Sequence, residues 1–148
     1  LGEADQRATD YLYAVGLDES LADRVPGRLS GGQRQRVSLA LALAAEPALM
    51  IADEPTTALD VVARAEILRL LTSLTSLSEA PALLLITHDL PAAAICGNVV
   101  VLHDGAVIER GPTAQVLAHP EHPVTVAMCE AAAEETIDGA LTAAGAAA

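Results

Sequence analysis

Two glycines and a hydroxyl group stand together at the beginning of a predicted helix. They belong to the run Leu29, Ser30, Gly31, Gly32 and Gln33. The glycines remove side chains there, so an anion can approach unpaired N–H groups at the positive end of the helix dipole, and Ser30 adds a hydroxyl donor. This chemistry predicts an anion site. A capped helix with a flexible entry is the simpler structural interpretation of the same residues.

Two adjacent carboxylates, Asp53 and Glu54, follow the apolar segment Leu49 to Ala52. We expect this segment to be a buried strand, and open α/β sheets bind their ligands beyond the carboxyl ends of the strands. One carboxylate can hold Mg²⁺, usually through water, while its neighbour points the opposite way, toward an attacking water molecule. An ordinary acidic residue at a helix start before Pro55 is the structural alternative for Glu54.

A histidine follows the second apolar segment, Ala82 to Ile86, in the sequence Thr87-His88-Asp89. This segment is also expected to be a buried strand. His88 should therefore emerge at the same edge of the sheet as Asp53 and Glu54, one strand over. A lone histidine is more often a hydrogen-bonded structural residue than a catalytic one, so the spacing alone does not assign it a catalytic role.

Three segments in fixed order resemble the C-terminal half of an ABC transporter ATP-binding subunit: LSGGQRQR, then IADEPTTALD, then LLLITHD. The resemblance covers roughly residues 1–128. Gly111-Pro112 and the segment 119–125 are similar to the tail of the oligopeptide, dipeptide and nickel importer branch. Val124 stands where that branch usually has tyrosine.

The resemblance implies a role for each of these motifs. Asp53 would hold Mg²⁺, Glu54 would be the catalytic carboxylate, and His88 would contact the γ-phosphate of ATP and help to align the attacking water. The segment Ala58-Leu59-Asp60 matches the loop that reaches across to a second ATPase copy. The nucleotide-binding residues implied on this chain are Leu29, Ser30, Gly31, Gly32, Gln33 and Asp60.

The function implied by the resemblance is ATP-driven import of peptides or a related small solute, with ATP and Mg²⁺ as cofactors. The implied partners are a second ABC ATPase subunit and membrane-spanning permease subunits, with this subunit peripheral to the membrane on its cytoplasmic face. The chain contains no lysine, so it lacks the loop ending in Gly-Lys-Ser or Gly-Lys-Thr that normally holds the nucleotide. We therefore expect no ATPase activity from this chain alone. A non-catalytic, truncated remnant is the alternative function.

Composition narrows the possible partners. The net charge of −12 argues against binding to a nucleic-acid backbone, because such binding depends on Lys and Arg side chains that neutralise phosphates. No apolar stretch reaches the roughly 20 residues that span a bilayer.

Cys96 and Cys129 form no Cys-x-x-Cys pair, which favours a reducing cytosol over a disulfide framework or a zinc site. Arg34 and Arg36 could assist phosphate or salt-bridge neighbours, but solvated or structural roles are expected for them, and structural roles are expected for His119 and His122.

The expected fold is α/β, a partial P-loop NTPase (ABC ATPase) fold with a parallel sheet flanked by helices and a hairpin at one edge. Helices are predicted at 3–15, 20–25, 31–45, 61–77, 89–95, 113–118 and 123–135. Strands are predicted at 49–52, 82–86, 99–102 and 106–109, with Asp104-Gly105 as the hairpin turn. Residues 1–128 would be the C-terminal part of an ABC ATPase domain: 1–28 would end a helical subdomain, and 29–111 would form its motif-bearing core. Residues 129–148 would be an acidic, Ala-rich tail in which 139–148 fray.

Overall fold

The computed structural model describes residues 2–57, 59–76 and 80–145, and the chain divides into two compact units, Leu1–Ile86 and Thr87–Ala148. The elements of the first unit are α1 (Glu3–Ala14), two 3₁₀ turns (Glu19–Leu21 and Pro26–Arg28), α2 (Gly31–Ala44), β1 (Leu49–Asp53), α3 (Val61–Thr75) and β2 (Ala82–Ile86). Those of the second are α4 (Leu90–Ala93), β3 (Asn98–His103), β4 (Ala106–Pro112), α5 (Thr113–Ala118) and α6 (Pro123–Gly145). The predicted domain boundaries after residues 28 and 128 stay predictions.

The helices of the first unit begin and end at residues with clear local reasons. Gly16 follows α1 with a φ of +71°, a left-handed conformation that glycine adopts without strain. Ser30 and Gln33 form a capping box at the start of α2, in which Gln33 N donates to Ser30 Oγ (3.2 Å) and Ser30 N donates to Gln33 Oε1 (2.9 Å). The predicted helix 20–25 is wrong, because short 3₁₀ turns replace it.

The core of the first unit lies where α2 packs against α1 and α3. Ile67 and Leu71 are fully buried and one helical turn apart, so they form the apolar stripe of α3. The remaining buried apolar residues of this unit are Val15, Leu17, Leu29, Leu39, Ala40, Met50, Ala52 and Leu74. The predicted end of α3 at residue 77 lies outside the described residues, and the described helix ends at Thr75.

Strands β1 and β2 pair in parallel, with Leu49 opposite Ala82 and Asp53 opposite Ile86. The prediction that both strands are buried was wrong. Met50 is 4% exposed, whereas Ile51 is 61% exposed, because successive side chains of a strand point to opposite faces and only one face is covered by the described residues.

The second unit contains the predicted hairpin. Strands β3 and β4 are antiparallel, and Asp104 and Gly105 between them have φ values of +49° and +75°, as a type I′ turn requires. Among the described residues these strands pair only with each other, so the hairpin forms a separate two-stranded sheet rather than an edge of the β1–β2 sheet. An irregularity between Val101 and Leu102 shifts the register of the hairpin.

A carboxylate caps the start of α6. Glu109 accepts hydrogen bonds from the backbone N–H groups of Glu121 (3.0 Å) and His122 (3.2 Å). The Thr125 hydroxyl, and then these backbone donors, lower the pKa of the Glu109 carboxyl from its usual value of 4.5. His122 Nδ1 accepts from Val124 N (3.2 Å), which confirms its predicted structural role.

Helix α6 runs beyond its predicted end at 135, to Gly145. Alanine, which fills this segment, has the highest intrinsic helix propensity, and this outweighs the low complexity of the sequence. Residues 139–145 are helical as described and 146–148 lie outside the described residues, so the expected fraying of 139–148 stays a prediction. None of the described helices is both long and apolar enough to cross a membrane.

Candidate functional site

The predicted anion site at the start of α2 is folded as a helix N-terminus open to solvent. Gly31 and Gly32 are the first two residues of α2, so their N–H groups precede the first intrahelical hydrogen bond, from Arg34 N to Ser30 O (2.9 Å). Ser30 is exposed, and its Oγ accepts from Gln33 N. The hydroxyl proton therefore stays available to donate outward.

The start of α2 and the start of α3 share one pocket of about 540 Å³. The lining residues are Gly16, Leu17, Ser30, Gly31, Gly32, Gln33, Arg36, Leu59, Asp60, Ala63 and Glu66. The structure thus brings together four residues of the Leu29–Gln33 motif with Asp60, which the resemblance assigns to the same nucleotide site. Leu29 is buried and contributes to the core, with its carbonyl accepting from Arg34 Nη1 (2.6 Å).

Asp60 lines the pocket and is the N-cap residue of α3. Its Oδ1 accepts from Ala63 N at 2.8 Å, as the sequence predicts. A Cβ placed on Gly31 would lie 3.6 Å from Leu59 Cδ2, and one on Gly32 would lie 3.6 Å from Ala63 Cβ. Both are ordinary van der Waals distances, so the fold of this chain does not itself require either glycine. Ala58, in the same predicted loop, lies outside the described residues.

Arg36 connects the pocket to two other helices. Its Nη1 donates to Val15 O (2.9 Å) at the end of α1, and its Nη2 pairs with Glu66 Oε2 (2.8 Å) on α3. The predicted structural role of Arg36 is therefore confirmed. Gly16 and Glu66 also line the pocket, but no motif in the sequence marks them, because they reach it only through tertiary packing.

The side chains that line the pocket carry no surplus of positive charge. Asp60 and Glu66 are carboxylates, and the single lining cation, Arg36, is paired with Glu66. Attraction for an anion comes from backbone N–H groups and the helix dipole, which is worth about 0.3–1 kcal/mol at an exposed site. Tight binding of a polyphosphate requires further cationic groups, and none of the lining residues supplies them.

The acidic pair lies at the carboxyl end of β1. Asp53 is exposed, and Glu54 is half-buried. The φ of Glu54 is +46°, a left-handed backbone conformation, so the alternation of side chains between the two faces of β1 ends there. Glu54 N donates to Ile86 O (2.9 Å), and Glu54 Oε2 accepts from Thr57 Oγ1 (3.0 Å). The backbone conformation and these bonds fix the direction of the Glu54 carboxylate independently of Asp53.

The donor set at this strand end suits Mg²⁺ only in part. Asp53 offers carboxylate oxygens, which Mg²⁺ prefers, but no group of three or more His, Cys, Asp or Glu side chains in the described part of the chain is placed to hold a metal. Mg²⁺ usually keeps several waters and binds through one or two carboxylates and substrate phosphates. Asp53 therefore fits such a shared ion and not a protein cage.

His88 follows β2 and is exposed, at the beginning of the second unit. Its neighbour Asp89 is held by two local bonds: Asp89 N donates to Thr87 Oγ1 (3.0 Å), and Asp89 Oδ1 accepts from Ala92 N (3.4 Å). These bonds shape the turn that carries His88 out of the strand. The approach of His88 to the acidic pair stays a prediction.

Comparisons with known proteins find the same family in sequence and in structure. Residues 3–57 match the family model described as ABC transporter. The chain is 43% identical over 138 residues to the "Probable D,D-dipeptide transport ATP-binding protein DdpD" of Escherichia coli strain K12, covering 91% of this chain and 42% of that protein. It is 46% identical over 132 residues to the dipeptide transport ATP-binding protein DppD of the same strain, covering 87% and 40%.

Among solved structures, the chain is similar to the ATP-binding cassette MJ0796 in a dimeric, post-hydrolysis state bound to ADP and Pi. The TM-score is 0.65 at 34% identity, over 76% of this chain and 49% of that chain. This chain therefore spans about two fifths of the length of the two transport proteins and about half of the cassette.

Proposed function

Because this chain belongs to the family of ABC transporter ATP-binding subunits, we propose that it supplies one side of a nucleotide site that a second subunit completes. The observation that carries this proposal is the shared pocket of Ser30–Gln33 and Leu59–Asp60. It presents backbone N–H groups and a hydroxyl for phosphate oxygens, yet its lining has no unpaired cation. The missing positive charge comes from the phosphate loop of the partner and from Mg²⁺ bound with ATP.

In the complete site, Ser30, Gly31 and Gly32 bind the γ-phosphate of a nucleotide that rests on the partner's phosphate loop. The Ser30 hydroxyl donates, and the two glycines let the phosphate reach the first N–H groups of α2. Asp60 fixes the neighbouring wall of the pocket through its cap on α3. The chain therefore acts in trans through its α2 motif.

The same chain acts in cis through its strand ends. Glu54 orients and polarises the attacking water, and Thr57 holds its carboxylate for this purpose. Asp53 would hold Mg²⁺ through water, and His88 would contact the γ-phosphate. Mg²⁺, when bound, supplies charge neutralisation for phosphoryl transfer, in which positioning and electrostatics account for most of the catalysis.

The transported solute is a peptide or a related small molecule in this proposal. Both named relatives are dipeptide transport ATP-binding proteins, and the cassette structure is a dimer. The partners are accordingly a second ATPase subunit and a membrane-spanning permease, with this subunit peripheral to the membrane on its cytoplasmic face.

The proposal is tested with Glu54→Gln in a full-length subunit, meaning this chain joined to a preceding half that carries a phosphate loop. Glutamine keeps a hydrogen-bonding group of the same size but loses the charge that polarises water. ATP binding should stay nearly unchanged while hydrolysis nearly stops, so the ATP-bound dimer should accumulate on size-exclusion chromatography. Glu130→Gln, which neutralises an exposed carboxylate on α6, is the matched control and should hydrolyse ATP normally. Normal hydrolysis by Glu54→Gln would refute the catalytic assignment.

A further inference from the structure

We propose that Arg36 and Glu66 are a positioning pair that holds the α2 motif and the Asp60 loop in the arrangement needed by the composite site. This inference rests on the proposed function, because it assigns the pair a task at that same site. Neither residue is required to touch nucleotide. The pair acts by fixing the two helix starts that line the pocket.

The contacts of Arg36 join three segments at one guanidinium. One nitrogen donates to Val15 O at the end of α1 (2.9 Å), and another pairs with Glu66 Oε2 on α3 (2.8 Å). The Arg36 side chain is 18% exposed and the Glu66 side chain 50% exposed. A largely covered guanidinium needs hydrogen-bond partners, and both partners here lie outside its own helix: the Val15 carbonyl follows α1, and the Glu66 carboxylate is on α3.

The two linked residues line the pocket and sit at equivalent positions along their helices. Arg36 is five residues after Gly31 in α2, and Glu66 is five residues after Val61 in α3. At a rise of about 1.5 Å per residue, the link lies about 7.5 Å along each helix from its start. It therefore restricts how far apart the starts of the two helices can lie.

Gly16 provides the space that the guanidinium occupies. A Cβ at this position would lie 2.8 Å from Arg36 Nη1, and its φ of +71° already disfavours other residues. Gly16 and Arg36 both line the pocket with Ser30 and Asp60. The turn after α1, the α2 motif and the start of α3 thus form one connected wall.

A planar guanidinium suits this task better than an ammonium group. Its donors point in several fixed directions, so it can bind the carbonyl and the carboxylate together, whereas lysine is a flexible point charge. Arg36→Lys should therefore keep one contact at a time. It should fall between the wild type and Arg36→Gln in kcat and in the ATP concentration for dimerisation.

The test uses the full-length subunit in the Glu54→Gln background, where the ATP-bound dimer accumulates. The variants are Arg36→Gln, Arg36→Lys and Glu66→Gln, with Arg69→Gln as a control that removes an exposed arginine from α3. ATP affinity of the monomer and the ATP concentration for half-maximal dimerisation are measured separately, and kcat and KM are measured with Glu54 intact.

If Arg36 and Glu66 position the site, their substitution should change dimerisation and kcat without changing the ATP affinity of the monomer. Arg36→Gln should leave monomer ATP affinity unchanged, because the subunit's own phosphate loop is intact, while KM rises with the ATP concentration that dimerisation needs. It should lower kcat and raise the ATP concentration for dimerisation roughly tenfold to a hundredfold, the scale of a 1 Å misplacement. Glu66→Gln should show the same pattern more weakly, and the double variant should be no worse than Arg36→Gln alone. Arg69→Gln should match the wild type.

Two results would overturn the inference: dimerisation by Arg36→Gln at wild-type ATP concentrations, or a parallel loss of monomer ATP affinity, as general unfolding would give. Ser30→Arg separates this inference from the proposed function. If Ser30→Arg also dimerises normally, the trans site itself is wrong. If Ser30→Arg blocks dimerisation and Arg36→Gln does not, only the positioning role is refuted.

Discussion

Replacing Gly32 with alanine should stabilise the chain while it weakens the composite site. The new Cβ would lie 3.6 Å from Ala63 Cβ, so the fold accommodates it without a clash. Glycine costs a helix about 0.5–1 kcal/mol relative to alanine, and a first-turn position should recover the lower part of that range. The expected rise in the thermal midpoint is about 1–3 °C.

The same methyl group should obstruct the phosphate. Gly32 lines the pocket, and its N–H group is one of the proposed phosphate donors. A lost hydrogen bond to a charged group costs about 1.5–3 kcal/mol, which corresponds to roughly a 10- to 100-fold higher ATP concentration for dimerisation.

Stability is followed by urea and thermal unfolding of the chain, and dimerisation by size exclusion of the full-length subunit in the Glu54→Gln background. Gly27→Ala is the control, because a Cβ at Gly27 would meet nothing within 4 Å and Gly27 does not line the pocket. It should leave dimerisation unchanged. The reasoning is refuted if Gly32→Ala dimerises at the wild-type ATP concentration, or if it destabilises the chain.

Three further predictions concern this chain alone. It should show no ATPase activity above background, and turnover that Glu54→Gln abolishes would show the opposite. Asp60→Ala should lower the free energy of unfolding by about 1 kcal/mol through loss of the cap on Ala63 N, whereas Asp60→Asn should retain most of it; equal losses from both would exclude the cap. The lowered pKa of Glu109 means that its charged form stabilises the fold above pH 4.5 and that this contribution disappears as pH falls through the folded pKa. Glu109→Gln should therefore destabilise the chain at pH 7 and match the wild type at strongly acidic pH in urea unfolding, and a constant difference across that range would contradict it.

Features set by neighbouring residues could be predicted from the sequence. Ser30 and Asp60 each cap a helix through a bond to a residue three positions on, so the local sequence contains both partners. The Asp104-Gly105 turn needs two adjacent residues that tolerate positive φ, so the sequence predicts this turn as well. The two capping residues predict where α2 and α3 begin, and these two helix starts supply most of the residues that line the pocket.

Features set by distant residues could not be predicted in this way. The partners of Arg36 lie 21 and 30 positions away, and nothing in its local sequence identifies them. The apolar run of β1 does not reveal which face is covered, so the exposure of Ile51 was missed. The left-handed backbone of Glu54, which no glycine marks, was missed as well.

The central claim is that Ser30 acts on the nucleotide of the partner while Glu54 acts on the nucleotide of its own subunit. Mixed dimers of the full-length subunit test it directly by phosphate release. When one subunit carries Ser30→Arg and the other Glu54→Gln, both defects fall on one site, and about half of the wild-type turnover should remain in a two-fold symmetric dimer. When one subunit carries both substitutions beside a wild-type partner, each site has one defect and turnover should be lost. Activity in the second dimer and none in the first would contradict the account.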